Sequence, residues 1–114
     1  MSEERAQESE ILHRVRTAAT VRSLFLPHAL SQMNAPERMI TPQDVRDAVL
    51  RGSLVEDYPE DARGHSCLGL GYDSAGRPIH VVCAPKADYL AINTANVPSP
   101  DRWELDGRIR RKGD

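Results

Sequence analysis

Apolar positions along the chain change their period twice, and each change marks an element. Ile11, Leu12, Val15, Ala18 and Ala19 recur at three- and four-residue intervals, which predicts an amphipathic helix over residues 7–19. Residues 20–26 are apolar and partly β-branched, fitting a short edge strand or an extended linker. Pro27 suits the first position of a second, short helix carrying Ala29, Leu30 and Met33, which Asn34 and Pro36 stop. The third helix is the best specified. Thr41 is its N-cap, Pro42 its first residue and Asp44 the third, an approximate capping box. Ile40 and Val45 stand in staple positions, Val45, Ala48 and Val49 form its stripe, and Gly52 ends it.

Beyond Gly52 the period falls to two. Residues 53–58 predict a strand with Leu54, Glu56 and Tyr58 on one face, ended by Pro59. Residues 66–72 and 78–84 predict a hairpin around Asp73, Ser74, Ala75 and Gly76. With Tyr72 opposite Arg77, Leu68, Leu70, Ile79 and Val81 share a buried face that meets the helices. Cys67, Gly69, Gly71, His80 and Val82 then share the open one, where the two glycines make room for a ligand or a closely packed neighbour. Residues 89–94 predict a further strand with Leu90, Ile92 and Thr94 on one side. Helices first and strands afterwards predict an α+β fold: N-terminal helices on one face of an antiparallel sheet, with the last three strands forming a meander. Trp103, the one tryptophan, is expected to pin the tail to the body.

The chain has 114 residues, enough for one core. Its organisation reads as an N-terminal helix with an acidic tail (1–19), an α+β domain (20–103) and a basic C-terminal tail (104–114). The net charge of −2 gives no overall basic field. Glu3, Glu4, Glu8 and Glu10 at one end, and Arg108, Arg110, Arg111 and Lys112 at the other, read as solvated termini. The absence of a long apolar run or a signal-like leader leads us to expect no membrane span and a cytoplasmic location. The register above places Cys67 and Cys83 on opposite faces, so free thiols are expected. No histidine or cysteine spacing suggests a zinc site, and neither metal nor cofactor is expected.

His28-Ala29 opening a helix, Arg38 before Ile40-Thr41, Asp44-Val45, Gly52, Asp57-Tyr58-Pro59, Ser66, Leu68, Leu70-Gly71, residues 77–82, Thr94 and Trp103 follow one another in an order that resembles the domain-of-unknown-function family 4258. The likeness runs from about Thr20 to Trp103. It departs at an insertion around residues 34–37 and in its mild acidity. That family is in turn similar to the RelE/ParE/HigB-type toxins. The resemblance therefore implies a metal-independent ribonuclease of a toxin–antitoxin module, with RNA as substrate and an antitoxin protein as partner. Metal-free RNA cleavage needs a base, a cation on the phosphorane and an acid. His80, His28, Arg38 and Tyr58 are the candidate catalytic residues, and Arg77 is the candidate phosphate ligand, because imidazole titrates near neutrality and guanidinium fits phosphate oxygens. His80, His28 and Arg38 are expected to share one polar surface. His80 bonded only to a backbone carbonyl would point instead to a structural role. The acidic loop at residues 56–61 favours a second class, a non-catalytic protein-binding domain on the same fold. Nothing in the sequence fixes an oligomeric state.

Overall fold

A computed structural model describes residues 3–104 and 107–111, with side-chain surroundings from residue 10 onward. The order of elements is α1 (Glu3–Val21), β1 (Ser23–Phe25), α2 (Pro27–Met33), α3 (Pro42–Arg51), β2 (Ser53–Tyr58), β3 (Ser66–Tyr72), β4 (Pro78–Pro85), β5 (Leu90–Asn96), β6 (Trp103–Glu104) and β7 (Ile109–Arg110). The fold is α+β, as the change of period predicts. β2 to β5 form an antiparallel meander. The short β1 adds parallel to β5, so the five-stranded sheet is mixed, in the order β1-β5-β4-β3-β2. β6 and β7 pair as a second, two-stranded sheet.

All three helices lie on one face of the large sheet. Ile11, Val15 and Ala18 of α1, Ala29 and Met33 of α2, and Val45, Ala48 and Val49 of α3 close over Cys67, Ile79, Val81, Cys83, Leu90, Ile92 and Ala95. The α3 capping box forms as expected: the Asp44 amide donates to Thr41 Oγ1 at 3.1 Å, and the Thr41 amide donates to Asp44 Oδ2 at 2.9 Å. This removes two of the unpaired donors at the helix start.

The central hairpin differs from expectation by one residue. Gly76 takes φ +84, its amide donates to the Asp73 carbonyl, and the Asp73 amide donates to the Arg77 carbonyl. The Asp73 carboxylate also accepts from the amides of Ala75 and Arg77. These bonds build a three-residue loop with a glycine bulge, so Tyr72 faces Pro78 rather than Arg77. A one-residue slip exchanges the faces. Ile79 and Val81 still meet the helices, but with Cys67, Gly69, Gly71 and Cys83 beside them. Leu68 and Leu70 lie instead on the helix-free face with His80 and Val82. Gly71 is where α3 packs against the sheet, since a Cβ there would drive into Ala48. The two glycines therefore make no room beside His80.

Two bulges break the other alternations. An irregularity between Leu54 and Glu56 turns Leu54 toward the helices and Glu56 and Tyr58 to the far side. One extra residue in β5, opposite the Val82–Cys83 step, separates Thr94 from Leu90 and Ile92. Cys67 and Cys83 are direct cross-strand partners on one face, contrary to the expected parity. Both are free thiols, and both are buried. The Cys83 thiol is pushed up by its hydrogen bond with Cys67 and by burial. Among the described residues, no helix is long and apolar enough to cross a membrane.

Candidate functional site

On the helix-free face, β2 and β4 project a cluster of polar side chains toward the C-terminal arm of β6 and β7. Tyr58 Oη donates to Glu56 Oε1 at 2.5 Å. Arg110, from β7, grips the same carboxylate in a fork, with Nη2 to Oε1 at 2.9 Å and Nε to Oε2 at 3.1 Å. The Arg110 guanidinium also lies 4.6 Å from the Trp103 ring centroid. Trp103 meets the His80 ring edge-on, with centroids 4.4 Å apart. His80 Nε2 lies 2.7 Å from the carbonyl oxygen of Gly107. A carbonyl only accepts, so Nε2 carries the proton. The neutral ring then leaves its Nδ1 lone pair unprotonated.

The environment sets the charges. The Arg110 fork holds the Glu56 carboxyl below its usual range, so it is ionised near neutral pH. Burial, and then the bond to Glu56, push the Tyr58 hydroxyl up to about 12, so it stays protonated. Burial pulls the His80 imidazole below its ordinary value, against the opposing pull of the Gly107 carbonyl and of Glu56. One face thus presents a neutral imidazole, a proton-bearing phenol, an anchored carboxylate and a guanidinium. Only 4% of the His80 surface is exposed, so the arm closes over the imidazole, while the Glu56–Arg110 fork reaches solvent.

The structure brings together two of the residues expected to act as one, and separates the others. Tyr58 and His80 share the helix-free face. His28 is exposed at the start of α2, whose Ala29 and Met33 pack on the opposite side of the sheet. The sheet therefore stands between the two histidines, and the expected shared surface of His28, Arg38 and His80 does not form. The register reversal does not cause this, since His80 faces away from the helices in either register. α2 simply crosses the other side. Arg38 and Arg77 do meet, through the main chain: Arg77 Nη1 donates to the Arg38 carbonyl and Nη2 to that of Met39, at 3.4 Å. Arg77 also pairs with Asp73 at 3.0 Å. It ties the loop before α3 to the hairpin turn.

Glu56, Arg110 and Gly107 escaped the sequence reading. The i, i+2 spacing of Glu56 and Tyr58 was a usable signal. Arg110 had none, since it looked like one solvated charge of a basic tail, yet it is docked. Lys112 of that tail lies outside the described residues, as do the side chains of Glu3, Glu4 and Glu8. His65, in the loop before β3, is held from both sides. Its Nε2 donates to Asp57 Oδ1 at 2.5 Å, and its Nδ1 accepts from Arg14 Nη1 at 3.2 Å, which ties α1 to the β2–β3 connection. Among the described residues, no group of three or more His, Cys, Asp or Glu side chains is placed to hold a metal ion.

Three helices on one side of a five-stranded sheet, with the polar cluster on the bare side, define this as a helix-backed α+β domain. Residues 25–96 match the model of the domain of unknown function DUF4258, and the chain belongs to that family. The match begins at Phe25, the last residue of β1, runs through β5, and leaves out α1 and the C-terminal arm. No curated protein and no solved structure matches the chain significantly.

Proposed function

We propose that this domain is a toxin-type, metal-independent endoribonuclease, and that the Glu56–Tyr58–His80–Arg110 cluster is its site. The observation that carries the reading is the convergence, on one sheet face, of groups suited to the three tasks of RNA cleavage. Neutral His80 takes the 2′-hydroxyl proton through its free Nδ1. Arg110 meets the charge that builds on phosphorus. Tyr58, held protonated, supplies the proton to the leaving 5′-oxygen. Glu56 positions the last two. The likeness of the family to RelE/ParE-type toxins supports the same reading and suggests an antitoxin protein as partner.

The test is cleavage of single-stranded RNA by the purified full-length chain, together with growth arrest on expression. His80→Ala is expected to lower cleavage by about 10²-fold or more, the usual weight of a general base. Tyr58→Phe should slow it with little change in stability. One observation favours a second reading, a non-catalytic protein-binding domain: the Gly107 carbonyl and the Trp103 ring already satisfy His80. A wild-type chain that cuts no RNA, together with a protein partner that protects this face, would favour that reading instead.

A further inference from the structure

A groove of about 470 Å³ opens where the C-terminal end of α3 meets the central hairpin. Arg51, Gly52, Ser53, Leu70, Tyr72 and Arg108 stand along it. Leu70 connects it to the site just described, because Leu70 is the direct cross-strand partner of His80 and shares its face. The two arginines come from different elements, the last turn of α3 and the segment between β6 and β7. Neither takes part in an ion pair among the described residues. Of the two carboxylates on the wall, Asp73 is already paired with Arg77, and Asp47 accepts from Gln43 at 2.9 Å. Tyr72 is 40% exposed at the end of β3, a large aromatic surface with no reason of packing to face solvent.

We propose that this groove is the binding subsite for single-stranded RNA adjoining the cluster: one base stacks on Tyr72, and Arg51 and Arg108 hold the flanking phosphates. The inference rests on the ribonuclease reading for its choice of ligand. Its chemistry is that of single-strand binding in general. An aromatic face accepts any base, a guanidinium fork fits phosphate oxygens, and the net acidity of the chain confines attraction to a local patch. Arg51 also sits favourably at the negative end of α3.

The probe is a fluorescent 2′-O-methyl oligoribonucleotide of about ten residues, titrated against the full chain by anisotropy. It lacks the attacking hydroxyl, so binding is read apart from cleavage. The wild type should bind it. Arg51→Ala with Arg108→Ala should weaken binding at least tenfold. The pair should also flatten the slope of log affinity against log salt by about 1.4, or about 0.7 for each phosphate no longer neutralised. Tyr72→Ala should weaken binding about fivefold or more, while Tyr72→Phe keeps it, which excludes a mere loss of folding. No binding by the wild type overturns the inference, as does a double arginine variant with unchanged affinity and slope. Binding that depends on the groove without any RNA cleavage leaves the subsite standing and removes the nuclease reading. Cleavage indifferent to the three substitutions does the reverse.

Discussion

The two faces of the sheet are covered by different means. On one, three helices bury aliphatic side chains, and α3 comes so close that only glycine fits at position 71. On the other, a pair of two-residue strands is held by an imidazole–carbonyl bond, an aromatic edge contact and one arginine–glutamate fork. The first cover is broad, non-directional and inseparable from folding. The second is a handful of directional contacts, each worth about 1 kcal/mol. A cover of that kind can open while the fold persists, and the His80 imidazole lies beneath it.

The sharpest break of this contrast is Val81→Asp. It places an unpaired charge under the helices and is expected to cost about 3–5 kcal/mol, enough to unfold most small domains. Denaturant unfolding checks it, and a variant that melts like the wild type would mean that the helices do not seal that face. A smaller effect comes through pH. His80 is neutral when folded and titrates below its ordinary value, so the unfolded chain binds more protons in mildly acidic solution. Stability should be full above pH 6.5 and decline as the pH falls below it, through the depressed folded value. His80→Gln should remove this part of the decline, as read by thermal melts across pH 5–8. Smaller again, the Glu56–Arg110 pair is 29% and 55% exposed, and a double-alanine cycle should return a coupling of about 0.5–1 kcal/mol. Arg110→Ala should shift Trp103 emission while leaving the main unfolding transition almost in place. The mildest test changes nothing in the fold: denatured, unreduced protein should titrate with two thiols per chain. Finding none would show that the Cys67–Cys83 pair closes into a disulfide.

The helices were legible because their signals are local. Thr41, Pro42 and Asp44 dictate where α3 begins through bonds spanning three residues, and those bonds form. Strand faces depend on a parity that one residue reverses. The Asp73 carboxylate draws Arg77 into the turn, adding that residue, and so moves Leu68 and Leu70 to the side of His80. The bulge in β2 carries no composition of its own, since Val55 looks like an ordinary strand residue, whereas Asn93, of a type depleted in strands, is a local sign of the one in β5. Half of the candidate site was therefore readable. His80 and Tyr58 announce themselves by type, but Arg110 gains its meaning only from a β6–β7 pairing too short to alternate.

The sheet also has two outer margins. At one lies β1, three residues long and parallel to its neighbour. At the other lies β2, whose pairing with β3 is interrupted beside Val55. A strand arriving from a second molecule needs an unbroken row of free amides and carbonyls in regular spacing. The short margin offers too few, and the kinked one presents them out of step. The same irregularity that turns Glu56 away from the helices thus discourages the chain from polymerising through its edges, and leaves encounter with other molecules to side chains rather than backbone.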